Sequence, residues 1–129
     1  DAGFDTNLNY NNNYRFYRVA EAYLNAAELL LETGGDANLA KDYVNAIRNR
    51  AGVAQKTSVT VDDVIEERHL EFVGEGKRYF DLVRTGKAAS VLTPDKYGYR
   101  TNSWTESKKY IPIAQAELDS DPALVQNNY

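Results

Sequence analysis

The sequence predicts a mainly α-helical fold: a helical hairpin, a third long or kinked helix, irregular loops and a short extended C-terminal segment. Three observations carry this. Apolar residues recur at helical spacing across two neighbouring stretches near the start. Gly34-Gly35 stands between those stretches. Residues 85 to 109, by contrast, show no helical or strand period.

Residues 1 to 13 are polar and Asn-rich and read as a loop or a severed connection. From Tyr14 the pattern becomes periodic. Phe16, Val19, Ala20, Tyr23, Ala27, Leu30 and Leu31 fall on one helical face, with Arg18, Glu21, Asn25, Glu28 and Glu32 between them. Gly34-Gly35 ends this helix. Asp36 or Asn38 caps the next, whose stripe is Ala40, Tyr43, Val44 and Ile47. Arg48 and Arg50 stand in its last turn, where cations complement the helix dipole, and Ala51-Gly52 closes it. Small residues at Ala20, Ala27 and Ala40 allow the two helices to approach closely. Residues 53 to 60 form a linker. Thr60 and Asp63 make a capping box for the third helix, which carries Val61, Val64, Ile65, Phe72, Val73, Tyr79, Phe80 and Val83. The tail holds a short extended piece, KYIPI, and a turn at Asp121-Pro122.

Composition narrows the function. The 129 residues suffice for one domain, and 43% hydrophobic with 26% charged residues is ordinary for a globular chain. A net charge of −4 argues against nucleic-acid binding, which relies on clustered Lys and Arg. The chain has no cysteine, so disulfides, thiolate metal sites and Cys nucleophiles are excluded. It has no methionine either, and an initial Asp1 suggests a processed or excised segment.

The stretch ERHLEFVGEGKRYFDLVR, residues 67 to 84, concentrates charge. If one helix runs through Gly74 and Gly76, then Arg68, Glu71, Glu75 and Arg78 share a face at spacings of three, four and three. Arg68 then reaches Glu71, and Glu75 reaches Arg78. Arg48, Arg50 and Arg84 are further cations for the two glutamates. One reading is a glycoside hydrolase using Glu71 and Glu75 as paired carboxylates. The other, favoured here, is a structural ion-pair network, because catalytic carboxylates need unequal environments and these are flanked by arginines. His69, the single histidine, lacks any H-E-x-x-H or Cys partner, so no metal site is indicated. GEGKRY lacks the G-x-x-x-x-G-K-S/T frame of a phosphate loop. No serine sits in a nucleophile elbow, so no catalytic residue is assigned.

The hairpin loosely resembles one tetratricopeptide unit, with Leu24, Ala27, Leu31, Ala40, Val44 and Ile47 in plausible positions. A single unit cannot bury both of its faces alone. The order of motifs goes further. RVAEAYLNAAELLLETG, DYVNAIRNRAG, the charged stretch, YIPIAQAEL and DPALVQNNY together resemble the C-terminal part of SusD-like (RagB/SusD) proteins. The family's ERxxEFxxEGxRxxDLxR pattern falls on Glu67, Arg68, Glu71, Phe72, Glu75, Gly76, Arg78, Asp81, Leu82 and Arg84. Its N-x-I-R-x-R-A-G pattern falls on Asn45, Ile47, Arg48, Arg50, Ala51 and Gly52. The tail departs from the family's N-P-x-L-x-Q-N-P-G-Y: Asp121 replaces Asn, and Asn128 stands where Pro-Gly is usual.

The resemblance implies a C-terminal helical part over residues 14 to 129, with tetratricopeptide-like helix pairs. It implies an outer-membrane, cell-surface lipoprotein of a Gram-negative bacterium, its lipid anchor on an N-terminal part that is absent here. It implies capture of an oligosaccharide or other nutrient, with a TonB-dependent transporter as partner and no enzymatic activity or cofactor. A helical scaffold that only docks the transporter is the remaining alternative. The resemblance assigns no ligand-binding residue. Chemistry suggests one set: Tyr97, Tyr99, Arg100, Asn102 and Trp104 combine flat rings with planar polar groups on an expected loop, as sugar recognition requires. Packing of Trp104 and Tyr99 onto helices, or onto the part of the protein absent here, is the competing role for those rings. Tyr10 and Tyr14, in the Asn-rich start, are a second candidate set.

Overall fold

A computed structural model describes residues 16–128, and these fold into two compact units that divide between Glu71 and Phe72. The expected loop at 1–13 and the candidates Tyr10 and Tyr14 lie outside the described residues. Among the described residues there is no strand.

The first unit holds three helices: α1 (Val19–Glu32), α2 (Ala37–Arg50) and α3 (Val61–Glu71). α1 packs against both α2 and α3. The hairpin turn follows the sequence. Gly34 adopts φ +70°, open to glycine at little cost, and the chain reverses so that the Gly35 N–H donates to Leu30 O at 2.7 Å. Asp36 then caps α2 by accepting the N–H of Asn38 at 2.8 Å and of Leu39 at 3.2 Å. Leu24, Val44 and Val64 are fully buried between the three helices, each removing roughly 2 kcal/mol of apolar surface from water. Ala20, Ala27 and Ala40 are buried beside them, the small residues of the close approach. Tyr23 and Tyr43 stack across α1 and α2, with ring centroids 5.3 Å apart.

The start of α1 and its buried face differ from the periodic expectation. Arg18 is extended (φ −146°, ψ 162°), so the helix begins at Val19 rather than near Tyr14. Phe16 and Val19 are exposed, while Glu21 and Glu28 are buried. α1 is apolar around much of its circumference, so spacing alone does not select the inward side. The buried Arg68 guanidinium meets that side, donating to Asn25 and lying 3.9 Å from Glu21.

The linker before α3 is held by Asn45. Its side-chain amide donates to Lys56 O at 2.9 Å and its oxygen accepts the Lys56 N–H at 2.8 Å, as a neighbouring backbone would. Thr60 and Asp63 form the expected capping box. The Asp63 carboxylate accepts the Thr60 N–H at 2.8 Å, and the Thr60 hydroxyl accepts the Asp63 N–H at 3.2 Å.

The expected third helix is broken, not continuous. α3 ends at Glu71, and a turn through Phe72–Gly76 separates it from α4 (Arg78–Arg84) in the second unit. Gly74 and Gly76 take φ of +80° and +72°, which no right-handed helix contains. The second unit continues with α5 (Ala88–Val91), packed on α4, a short 3-10 turn (Glu106–Lys109) and α6 (Gln115–Ser120). KYIPI is extended at Tyr110 (φ −94°, ψ 123°). The tail returns to it: the Gln126 side chain accepts the Ile113 N–H at 3.0 Å and donates to Ile113 O at 2.9 Å.

Candidate functional site

Because the helix breaks, the charges of residues 67 to 84 do not form the single face anticipated. Glu67, Arg68 and Glu71 find partners through tertiary contact instead. Glu71, with a side chain only 8% exposed, accepts from the guanidinium groups of both Arg18 and Arg50. Arg18 also donates to the Glu71 carbonyl oxygen at 2.5 Å, tying the chain before α1 to the end of α3. Glu67 accepts from Arg48 at 2.6 Å. Arg68 does not pair with Glu71; it donates to Asn25 Oδ1 at 2.5 Å and lies 3.9 Å from Glu21. Arg48 additionally closes the linker by donating to Ala54 O at 2.7 Å. In the second unit Asp81 accepts twice from Arg84, at 2.7 and 3.0 Å.

Acid–base hydrolysis fits this arrangement poorly. A two-carboxylate hydrolase needs one carboxyl that holds a proton and another across a sugar-sized gap. Glu71 is neutralised by two arginines, and Glu75 belongs to the other unit. A groove of about 250 Å³ in the first unit is lined by Asp63, Glu66, Glu67, Arg48 and Lys56. One of its carboxyls is biased toward ionisation: the Lys56 ammonium, then the Thr60 hydroxyl and N–H, lower Asp63 to about 2. His69 is half-exposed beside Glu66 at 3.6 Å. No group of His, Asp and Glu able to hold a metal ion occurs among the described residues.

A different cavity has the chemistry of a binding site. It lies within the second unit and measures about 480 Å³. Tyr79 of α4, Trp104 and Tyr110 give it aromatic walls, with Leu92 and Pro112 completing the apolar lining. Arg100, Asn102 and Lys108 supply polar groups at its edge. Local bonds fix the walls. The Tyr79 hydroxyl donates to Lys108 O, and its ring lies 6.1 Å from that of Trp104, tilted by 57°. The Trp104 indole N–H donates to Glu106 at 3.1 Å, and the Lys108 ammonium to Ser103 O at 2.5 Å. Flat apolar faces with a few convergent donors and acceptors suit a small polar ring such as a sugar.

Of the five residues singled out by composition, Arg100, Asn102 and Trp104 line this cavity. Tyr97 and Tyr99 do not; they stand on the adjoining loop, 72% and 93% exposed. Trp104 is half-buried against Tyr79, so helix packing and cavity lining coincide in that one ring, whereas Tyr99 packs onto no helix. Asp95 organises the loop. Its carboxylate accepts the N–H groups of Tyr97 at 2.8 Å, Tyr99 at 3.3 Å and Arg100. Desolvation pushes its pKa up, but those N–H groups with that of Gly98 outweigh it and hold the carboxyl below its ordinary value. Sequence reasoning missed Tyr79, Lys108 and Tyr110. Tyr79 fell on a helical stripe and read as core; the aromatic in KYIPI was the one available signal for Tyr110.

A family model described as the SusD family matches residues 1–129. The chain is 34% identical over 119 residues to the starch-binding protein SusD of Bacteroides thetaiotaomicron, covering 86% of this chain and 20% of that protein. It is 31% identical to the SusD-like protein P25 of Formosa agariphila, covering 94% of this chain and 25% of that one. Among solved structures, surface glycan-binding protein A from Bacteroides uniformis matches with a TM-score of 0.85 and 65% identity, over 92% of this chain and 28% of that one. Surface glycan-binding protein A from Bacteroides thetaiotaomicron in complex with laminarihexaose matches with a TM-score of 0.84 and 61% identity, over 94% of this chain and 26% of that one. The chain therefore spans about a quarter of the length of these relatives. A family match over its whole length, with relatives above 30% identity, settles the grouping: this chain belongs to the SusD family.

Proposed function

We propose that the chain is the C-terminal helical part of a cell-surface glycan receptor, which holds an oligosaccharide for uptake through a TonB-dependent transporter. The observation that carries this reading is the 61% identity, over 94% of the chain, to a surface glycan-binding protein solved with laminarihexaose. The reading places the protein at the outer membrane of a Gram-negative bacterium, anchored by lipid on a part upstream. No helix of the described residues is long and apolar enough to cross a membrane.

Within the chain, sugar contact is proposed at the second-unit cavity, with Trp104 and Tyr79 as stacking faces and Arg100 and Asn102 as hydrogen-bond donors to hydroxyls. Tyr97 and Tyr99, on the neighbouring loop outside the cavity, offer a sugar a separate contact. Binding is reversible, requires no cofactor and breaks no bond. The ion-pair network around Glu71 supports that absence of chemistry, because two guanidinium groups occupy its carboxylate.

Titration calorimetry of the chain with laminarihexaose tests the reading. Saturable binding is expected, weakened about tenfold, or roughly 1.4 kcal/mol, by Trp104→Ala. No saturable heat with laminarihexaose or with starch-derived oligosaccharides would overturn glycan contact by this chain. Capture of the transporter without any glycan binding would leave only the scaffold role.

A further inference from the structure

The loop beside the cavity is more tightly organised than a surface connection requires. A simple turn closes with one hydrogen bond. Here one carboxylate collects the N–H groups of Tyr97, Tyr99 and Arg100. The Asp95 N–H also donates to Arg100 O at 3.0 Å, so residues 95 and 100 are joined through both side chain and backbone. Gly98 takes φ +79° between the two tyrosines, and its N–H returns to Asp95 O at 3.3 Å.

What the loop presents is a pair of tyrosine rings. Their centroids are 6.3 Å apart and their planes tilted by 44°, so neither ring covers the face of the other. The Lys96 ammonium sits 4.9 Å over one face of Tyr97. Ordering exposed aromatic rings costs conformational entropy, which a ligand would otherwise have to overcome on binding. Arg100 links this surface to the cavity: its backbone N–H is held by Asp95, and its side chain lines the cavity while donating to Val91 O at 3.3 Å.

We propose that Asp95 is the positioning residue of an outer sugar platform, formed by Tyr97 and Tyr99, that receives the rings of an oligosaccharide extending beyond the cavity. The platform rests on the glycan reading above and adds a length requirement to it: a long glucan engages both places, and a disaccharide fits the cavity alone.

The experiment compares laminarihexaose with laminaribiose by titration calorimetry of the full chain, using Tyr97→Ala/Tyr99→Ala, Asp95→Ala and Asp95→Asn. The double tyrosine variant is expected to weaken laminarihexaose about tenfold and to leave laminaribiose unchanged. Asp95→Ala is expected to match it. Asp95→Asn is expected to restore most of the affinity, because an amide oxygen accepts the same N–H groups. Unchanged laminarihexaose affinity in the double tyrosine variant overturns the platform, while loss in Trp104→Ala would still uphold the cavity. A weakened double variant with an unaffected Asp95→Ala overturns the positioning role. Equal losses for both sugars in Asp95→Ala overturn it too, since that marks general loosening. If unaltered protein binds neither sugar, the glycan reading itself falls.

Discussion

Glu71 shows how one residue type acquires a role from its surroundings. Two guanidinium groups converge on its nearly buried carboxylate, one from before α1 and one from the end of α2. Removing it leaves two cations facing each other without their common partner. Glu71→Ala is therefore expected to lower stability by about 2 kcal/mol, read as a reduced urea midpoint at unchanged slope. Asp63 makes a pH prediction. It ionises more readily in the folded chain than unfolded, because Lys56 and Thr60 bond to its charged form. Its contribution is present in full above the ordinary aspartate value of 3.8 and is lost as pH falls toward about 2. The side chain is about one-third exposed, so solvent screening limits the effect to about 1 kcal/mol. Stability measured between pH 5 and pH 2 should fall less steeply in Asp63→Asn than in the unaltered chain. At this scale the sequence was informative about pairing but not about partners. Arg50 was a named candidate for the glutamates and does bind Glu71, whereas Arg18, some fifty positions away, carried no local signal.

The helices divide in the same way. The hairpin was readable because each boundary has a local cause: Gly34 at the turn, Asp36 at the cap, Thr60 with Asp63 before α3. The break after Glu71 was harder to see. The spacing of Arg68, Glu71, Glu75 and Arg78 fits a continuous helix, and isolated glycines are tolerated in helices. Two glycines at positive φ are not, and that is a tertiary outcome. Gly76→Ala tests it. A methyl there meets nothing within 4 Å, so its cost is backbone strain alone, about 1 kcal/mol in thermal or urea unfolding. A continuous helix would instead be stabilised by alanine. Within the hairpin, Leu24→Ala should cost about 3 kcal/mol, because Leu24 is fully enclosed where three helices meet. The family motifs also gain a physical meaning at this scale. Asn45 clamps the linker, Ile47 fills the core, and Arg48 and Arg50 reach α3.

Across the whole molecule, the two units carry different duties in the reading above. The first is a helical framework cross-tied by ion pairs; the second holds the cavity and its loop. Arg100, Asn102 and Trp104 could be named from sequence because they crowd one short segment. Tyr79 and Tyr110 could not, since only folding brings α4 and KYIPI to the same hollow. Tyr79→Phe should preserve the wall but release its tie to Lys108 O, weakening laminarihexaose about threefold in calorimetry. The chain has a single tryptophan, and it sits in the second unit, whereas the stacked rings of Tyr23 and Tyr43 join two helices of the first. The indole thus belongs to the second unit, whereas phenols occur in both. Indole emission reports when the hollow dissolves, and the dichroism lost in Tyr43→Phe isolates the stacked pair that reports when the hairpin parts. Recording both during one melt would reveal whether the halves come apart together or in sequence, with no dye attached.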